Sequence, residues 1–331
     1  MQIHREQFLR WRGVDLIKLI KKSLKTIKGE AGVRLDKFLS VKCDDLSRSQ
    51  IQALIKSGKI RLNGAPAKAN NILKDEDVIT LPIEEKVIQD LPKAEKELKI
   101  DIVYEDSDCM VIDKPAGMVV HPAEGNTTGT VVNMIIPHLD KEMLDGARPG
   151  IVHRLDKDTS GALLVAKNLM AYENLVAQFK ARKVKKEYMT MVYGVPHHNK
   201  GVIDSPIGRD LKERKKMSIV SEKSGKKAVS IYEVVSKYRL ENGKMVSLLK
   251  VEIKTGRTHQ IRVHLTAIGH PVVGDGVYGN RSINKTFREN FDLKRQFLHA
   301  QTLAFKSPAT GKTVTVKVPL ANDLQEILGK L

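Results

Sequence analysis

The sequence predicts an α+β fold, in which a mixed, mostly antiparallel sheet with flanking helices follows a small helix–helix–hairpin domain. Short runs rich in apolar and β-branched residues recur from Ile100 onward, as is typical of strands. Two longer stretches with helical periodicity, residues 168–182 and 255–269, interrupt them. Two more helical patterns and an Asn-Gly hairpin signal lie within residues 32–83. This order favours segregated helices and strands over a strand–helix repeat.

The larger domain is predicted to span residues 100–331. Its strand patterns are "IDIVYED", "CMVIDKPAGMVVHP", "ALLVAK", "KKEYMTMVYG", "SIYEVVSKY" and "MVSLLKVEIKTG". Their spacing is too varied for a doubly wound nucleotide-binding repeat, and the chain contains neither a P-loop nor a G-x-G-x-x-G sequence. We therefore expect one domain of a size typical of catalytic domains.

Residues 32–83 are predicted to form the small domain. "VRLDKFLS" predicts one helix, and "RSQIQALIKS" predicts a second that a Ser47/Gln50 capping box opens and Gly58 closes. "KIRLNG" and "DVITLPI" predict strands. The first helix should turn its apolar residues inward: Val33, Leu35, Phe38 and Leu39. Residues 84–99 are charged and carry no strand pattern, which indicates a linker.

Residues 1–31 are predicted to be a basic amphipathic extension. Apolar residues recur there at helical spacing, and eight Lys or Arg against three Asp or Glu give residues 1–30 a net charge of +5; the apolar positions are Leu16, Ile17, Ile20, Leu24 and Ile27. We expect a helix that contacts RNA or packs on a domain, with a membrane-surface helix as the alternative. The segment lacks the uninterrupted apolar region of a secretory signal.

The charge of the chain predicts a polyanionic partner. There are 57 Lys and Arg against 39 Asp and Glu, which gives a net charge of +18 over 331 residues. Because the basic residues are spread along the chain, nucleic acid is favoured over a membrane surface. Cys43 and Cys109 have no metal-ligand spacing, and no apolar run approaches a membrane span of about 18 residues. The sequence thus predicts a cytoplasmic protein without a membrane partner.

The small domain is rich in basic residues and poor in aromatic ones. This composition favours contacts with the backbone of a structured RNA over base stacking, although a solvated charged face is the alternative. The candidate RNA-binding residues are Arg34, Lys37, Arg48, Lys56, Lys59 and Arg61. The unit is similar to the small RNA-binding domain named for ribosomal protein S-four.

The most polar loop of the larger domain is "HRLDKDTSG", residues 153–161. A calcium loop starting at Asp156 would need a glutamate at its twelfth position, where the chain has Lys167. A turn in which Asp158 and Thr159 bind their own backbone explains "DTSG". It leaves "HRLD" unexplained, with Arg154 and Asp156 on one face of an extended segment.

Several classes of chemistry lack their residues in this sequence. The histidines do not have the spacing of a zinc helix, there is no nucleophile elbow, and no second carboxylate near Asp156 is free of the predicted turn. The sequence therefore favours chemistry by one carboxylate, without a metal or another cofactor, in a basic RNA-binding protein.

Five ordered motifs resemble those of the RluA-type pseudouridine synthases, and most of all the RluD-like branch. The motifs are "KPAGMVVHP", "HRLDKDTSG", "KKEYMTMVYG", "TGRTHQIRVHL" and "GDGVYG". With the small domain, the resemblance covers about residues 32–328, and the first thirty residues have no counterpart in it. It implies an isomerase that converts uridine of large-subunit ribosomal RNA to pseudouridine.

The resemblance also implies roles for individual residues. Asp156 would be the catalytic group, and Arg262 would pair with it and favour its ionised form. Tyr188 would stack on the target base, with a plain core tyrosine as the alternative. Arg154 would fill the gap left by the flipped base, or would clamp a phosphate, and Arg257 would orient a helix start or contact RNA.

Three other functions remain open from the sequence alone. A non-catalytic RNA-binding or ribosome-assembly factor would share the composition and the small domain, but would have no need for Asp156, Tyr188 and Arg262 together. A synthase acting on tRNA is the second, and an RNA hydrolase, which would release free uracil or cut the chain, is the third. We expect the protein to be a monomer.

Overall fold

The computed structural model describes residues 19–25, 31–43, 48–84, 100–121, 128–144, 149–210, 213 and 216–331. The chain divides into two compact units, Met1–Gln89 and Asp90–Leu331. The predicted linker, apart from its first residue, and the Ser47 half of the predicted capping box lie outside the described residues. No helix in the described ranges is long and apolar enough to cross a membrane.

The first unit contains two helices and a four-stranded sheet. Its elements are β1 (Leu19–Lys25), α1 (Leu35–Lys42), α2 (Arg48–Lys56), β2 (Arg61–Leu62), β3 (Ala65–Pro66) and β4 (Val78–Glu84), with the sheet order β1-β4-β2-β3. Leu35, Phe38 and Leu39 are buried as predicted and pack with Ile51, whereas Val33, which precedes the helix, is 38% exposed. The helix–helix–hairpin order of the small domain is confirmed.

The β2–β3 hairpin forms at the predicted Asn-Gly pair. Asn63 and Gly64 both have positive φ, 51° and 82°, as a two-residue turn of this kind requires. The Asn63 side chain also donates to Asp77 at 2.7 Å and accepts the backbone N–H of Val78 at 2.7 Å. The turn is thereby tied to the start of β4.

The predicted N-terminal helix is wrong where the structure describes that segment. Leu19–Lys25 form a strand, β1, whose backbone pairs with β4 at all seven positions, from Leu19 opposite Glu84 to Lys25 opposite Val78. The physical reason is that β4 would otherwise present an open edge of unpaired N–H and C=O groups. Tertiary pairing therefore overrides the helical spacing of the apolar residues.

The second unit is a large α+β domain. Its strands are β5 (Asp101–Glu105), β6 (Cys109–Lys114), β7 (Ser160–Ala166), β8 (Lys185–Tyr193), β9 (Lys200–Asp204), β10 (Ile207–Arg209), β11 (Met217–Ile219), β12 (Val229–Arg239), β13 (Met245–Ile253), β14 (Leu298–Lys306) and β15 (Thr313–Lys317). Its helices are α3 (Val131–Ile135), α4 (Lys141–Leu144), α5 (Leu169–Lys180), α6 (Gln260–Ala267), α7 (Arg281–Phe291) and α8 (Asn322–Lys330), with a 3₁₀ turn at Ile136–His138.

A nine-stranded sheet organises this unit in the order β5-β6-β7-β14-β8-β13-β12-β9, with β15 paired to β14. Neighbours are antiparallel except β7 and β14, which pair in parallel at His299–Ser160 and Ala300–Gly161. The predicted mixed, mostly antiparallel sheet is therefore confirmed.

The two faces of the central strand β8 pack in different hydrophobic clusters. Tyr188 packs with Leu163 and Leu249, whereas Met189 and Met191 pack in a second cluster. This is the alternation expected of a strand buried on both faces. It directs Tyr188 toward the side of the sheet where the polar loop of residues 153–161 lies.

Candidate active site

Asp156 begins a tight turn immediately before β7. Its carbonyl accepts the backbone N–H of Thr159 at 3.1 Å, and Ser160 then starts the buried strand. The sequence predicted a turn closed by the Asp158 and Thr159 side chains, but this backbone bond closes it. Because the backbone bond uses only the carbonyl, the carboxylate of Asp156, which is 26% exposed, remains available at the surface of a cleft.

Lys114, at the end of β6, binds the backbone of the same turn. Its side chain is fully buried, and its ammonium donates to the carbonyls of Pro115, Met118 and Lys157 at 2.7, 2.9 and 2.9 Å. Burial lowers the pKa of Lys114 to about 7, and the charges of Asp158 and Asp156 oppose that shift. The "KPAG" segment thus fixes the backbone next to Asp156.

Arg262 on α6 contacts Asp156 directly. Its Nη1 donates to Oδ2 of Asp156 at 2.9 Å, while Nε and Nη2 donate to the two carboxylate oxygens of Asp275 at 2.6 and 2.9 Å. Burial disfavours the charge of Arg262, but hydrogen bonds and charge from Asp275, with the charge of Asp156, raise its pKa. The predicted Asp156–Arg262 pair is therefore present, with Arg262 held on its other side by Asp275.

Asp275 is itself buried, and both of its carboxylate oxygens accept hydrogen bonds. Besides Arg262, it accepts the backbone N–H groups of Val277 and Tyr278 at 2.8 and 3.0 Å. Burial alone would raise its pKa, yet the bonds and charge of Arg262 lower it. The Tyr278 ring lies 5.1 Å from the Arg262 guanidinium, as in a cation–π contact. Asp275 and Tyr278 thereby orient Arg262 toward Asp156.

Tyr188 lies in the same cleft and is 7% exposed. Burial, and secondarily the charge of Asp156, raises the pKa of its hydroxyl, so the phenol is neutral at physiological pH. A neutral, flat ring beside a carboxylate offers a surface on which an unstacked base can lie.

The opposite wall of the cleft is the segment between β13 and α6. Exposed Arg154 donates from Nη2 to the Thr258 hydroxyl at 2.7 Å, which holds its guanidinium across the mouth of the cleft. Arg257 donates from Nε to the Lys227 carbonyl at 3.1 Å. His259 has a left-handed φ of 56° and shares a 2.8 Å hydrogen bond with the Tyr278 hydroxyl. These contacts tie the segment before α6 to its neighbours.

The cleft has a volume of about 620 Å³ and is strongly basic. Of the described residues that line it, seven are Lys or Arg and one is a carboxylate; the basic ones are Arg154, Lys180, Arg182, Lys186, Lys254, Arg257 and Arg262. Asp156 is that carboxylate. Cationic walls of this kind attract and orient a polyanion.

The candidate RNA-binding residues of the first unit differ in how they are bonded. Lys37, Lys56, Lys59 and Arg61 are exposed, and the side chain of Arg48 is not described. Arg34 is bonded within its own unit: its Nε and Nη2 each lie 3.0 Å from the carboxylate of buried Asp36. Arg34 therefore also stabilises α1.

Sequence reasoning assigned no role to three residues that organise the site. Asp275 and Tyr278 belong to the "GDGVYG" motif, and Lys114 to "KPAGMVVHP"; both motifs were singled out only as resemblances. The signal that would have found them is a polar residue followed by a run of Gly or Pro within a mostly apolar stretch, which indicates a fixed turn.

The comparisons with known proteins find matches in both units of the chain. A family model for RNA pseudouridylate synthase matches residues 108–267, and a model for the S4 domain matches residues 33–79. A Bacillus subtilis (strain 168) protein called "Uncharacterized RNA pseudouridine synthase YlyB" is 42% identical over 300 residues, which are 90% of this chain and 94% of its own. The chain belongs to the RNA pseudouridine synthase family.

Further relatives refine that placement. "Ribosomal large subunit pseudouridine synthase D" of Pseudomonas aeruginosa is 40% identical to this synthase over 309 residues, 91% of this chain and 92% of its own. The solved structure of human RNA pseudouridylate synthase domain containing 1 matches with a TM-score of 0.53 and 27% identity, and covers 70% of this chain and 94% of that one. The RluD-like resemblance and the S4 domain are thus confirmed, and the synthase is an isomerase that acts on RNA.

Proposed function

We propose that this synthase converts specific uridines of large-subunit ribosomal RNA to pseudouridine, with Asp156 as its one catalytic carboxylate. The observation that carries the proposal is the charge pattern of the cleft. Asp156 is the single acidic side chain among the described lining residues, and Arg262 donates to it from 2.9 Å. The relatives named for the large ribosomal subunit, at about 40% identity, support the choice of RNA.

The reaction requires a carboxylate at the sugar of the target nucleotide. The bond from C1′ to N1 of uracil breaks, the base turns, and a bond from C1′ to C5 forms; C5 then loses its proton and N1 gains one. An ionised Asp156 can attack C1′ and be displaced by C5, or remove a proton from C2′ to give a glycal and return it when C5 adds, and either route needs the anion. Arg262 donates one directed, charged N–H to that carboxylate.

The target base must leave its stack before Asp156 can reach the sugar. Arg154 is a long exposed cation two residues from Asp156, so we assign it to the space that the base vacates. Tyr188 receives the flipped base on its neutral ring. Arg257 would contact the RNA backbone at the mouth of the cleft, since its side chain is only half-buried and lines that wall.

The domain division follows from the same proposal. We assign residues 32–83 to RNA binding, with Lys37, Arg48, Lys56, Lys59 and Arg61 on phosphates, residues 84–99 to a linker and residues 100–331 to catalysis. Arg34 would contribute mainly through its ion pair with Asp36. We further propose that the synthase acts as a cytoplasmic monomer and needs no cofactor.

The proposal is tested with RNA labelled with tritium at C5 of uridine. Attachment through C5 releases that tritium to water, whereas hydrolysis releases free uracil. We expect tritium release from large-subunit ribosomal RNA transcripts, with carbodiimide-dependent primer stops at a few uridines. Release from tRNA transcripts alone would contradict the ribosomal substrate, and release of free uracil would contradict isomerisation.

A further inference from the structure

Lys186 is a buried cation that the proposed chemistry does not use. It lies on β8 two residues before Tyr188, hence on the same face of the strand and about 7 Å along it. It is 9% exposed and lines the same cleft as Asp156. Among the described residues, no carboxylate or carbonyl is within hydrogen-bonding distance of its ammonium group.

A buried ammonium without an anion is costly for a protein. Burying an unpaired charge costs several kcal/mol in general, and proteins normally compensate with a partner. Within the described part of the chain, the compensating contact of Lys186 is the Phe179 ring, 5.5 Å from Nζ, and a cation–π contact contributes only about 0.5–2 kcal/mol. Consistent with this deficit, burial lowers the pKa of Lys186 to about 8, so that most of the population still carries the charge at neutral pH.

The neighbours of Lys186 in the cleft increase this excess of positive charge. Lys180 and Arg182, at the end of α5, are exposed and line the same part of the wall. Phe179 is held in place by stacking on His153, with ring centroids 4.8 Å apart, and His153 is tied to β7 by the Leu164 N–H at 2.9 Å. The stem of Lys186 is therefore packed against a fixed ring, while its ammonium group is not fully sealed from the cleft.

We propose that Lys186 binds a phosphodiester of the RNA next to the target uridine, with Lys180 and Arg182 around the same phosphate. An RNA phosphate entering the cleft would supply the anion that Lys186 lacks, in a partly desolvated setting where charged hydrogen bonds are strong. Bound there, it would fix the nucleotide chain beside Tyr188 while the base lies at Asp156. This inference rests on the proposed function, in which RNA occupies this cleft.

The first test compares Lys186→Met with the matched control Lys185→Met. Both remove one positive charge, but Lys185 is 53% exposed, on the other face of β8, and pairs with Glu187 at 3.0 Å. We expect Lys186→Met to unfold at the same or a higher temperature than wild type, since it removes a buried unpaired charge. RNA affinity should fall roughly tenfold in Lys186→Met, and the slope of log affinity against log salt concentration should become shallower by about one. Lys185→Met should change neither the affinity nor the slope appreciably.

Lys186→Arg should restore most of the affinity, because it keeps a donor and a charge. In steady-state assays, Lys186→Met should raise KM far more than it lowers kcat. Equal affinity and equal salt dependence in Lys186→Met and wild type would overturn the proposal. The contact with Phe179 would then be the sole role of the Lys186 side chain.

A double-mutant-type cycle, which combines a protein variant with a modified RNA, identifies the source of the phosphate. RNA with a neutral methylphosphonate at single positions around the target uridine should bind wild type more weakly at one position, and Lys186→Met should be insensitive at that position. If no position shows this coupling, the proposed RNA subsite is wrong. It is also wrong if inorganic phosphate raises the melting temperature only when Lys186 is present, while Lys186→Met binds RNA as tightly as wild type. Tritium release by wild type is measured in parallel, so failure of the proposed function is recognised separately.

Discussion

Arg262 divides its donors between two carboxylates that differ in exposure. Nε and Nη2 are used by buried Asp275, and Nη1 alone reaches Asp156. Because the Asp275 pair fixes the plane of the guanidinium, Nη1 cannot follow Asp156 if that carboxylate moves. The Asp156 carboxylate is thus held by one directed bond to Oδ2, and no described residue bonds its other oxygen.

Arg262→Lys tests this division of roles. A lysine keeps the charge but has one nitrogen, which cannot bond Asp275 through two donors and also reach Asp156. We expect kcat to fall at least about a hundredfold with a much smaller change in KM, measured by tritium release. Arg281→Lys, on the exposed face of α7, is the control and should be neutral. A near-normal kcat in folded Arg262→Lys would show that charge alone suffices.

At this scale, the sequence was informative about the candidate catalytic residues and silent about the residues that hold them in place. Asp156, Tyr188 and Arg262 could be named from motifs, and the structure brings all three to one cleft. Asp275 and Lys114 could not, because their roles depend on what lies opposite them in space. Lys114 bonds a carbonyl 43 positions away in sequence, which no local pattern indicates.

At the scale of elements, the parallel contact of β7 with β14 sets the position of the loop of residues 153–161. Gly161, the last residue of that loop, lies opposite Ala300 and has a φ of 108°. A Cβ at Gly161 would lie 2.2 Å from the carbonyl oxygen of Ala300, which is backbone and cannot rotate away. The glycine in "HRLDKDTSG" is therefore required by the close approach of two strands.

Gly161→Ala should consequently separate β7 from β14. The strained φ and the clash together should cost about 3 kcal/mol or more of unfolding free energy, measured by urea titration. The matched control is Gly329→Ala in α8, where a Cβ meets nothing within 4 Å and alanine favours the helix. Equal stability of the two variants would contradict this reading of the loop.

The elements that the sequence predicted well are those with strong local signals. The Asn63–Gly64 hairpin, α5 and α6 follow from turn chemistry and periodicity. The strand Leu19–Lys25 could not be foreseen, since its formation depends on the free edge of β4 and its own apolar spacing favours a helix. Long-range pairing decided the outcome there.

At the scale of the whole molecule, a net charge of +18 should make RNA binding a strongly electrostatic process. Each phosphate contact releases condensed cations, so affinity should fall steeply between low and physiological salt. The slope of log affinity against log salt concentration should correspond to the release of several ions. Filter binding of ribosomal RNA transcripts over a series of salt concentrations measures this slope. A flat profile would contradict phosphate contact as the main source of affinity.

The division into two units predicts how that slope is distributed. Since the chemistry-bearing residues lie after Ile100, fragment 84–331 should fold, release tritium from short RNAs and show a smaller salt slope than the full chain. Circular dichroism melts check its folding. Failure of the fragment to fold would contradict the domain boundaries proposed here.

The central claim is that one carboxylate carries the chemistry, and Asp156→Asn tests it most directly. The amide keeps the size of the side chain, but it is neither a useful nucleophile nor a base at neutral pH. Asp158→Asn, in the same turn, is the matched control. Single-turnover tritium release is measured for both variants, together with RNA affinity and a melting curve, because the neutral amide would leave Arg262 without one of its charge partners.

We predict that folded Asp156→Asn releases tritium at least about a thousandfold more slowly than wild type, with RNA affinity within a few-fold of normal. Asp158→Asn should retain most of the rate. A folded Asp156→Asn synthase that still forms pseudouridine at a near-normal rate would contradict the account.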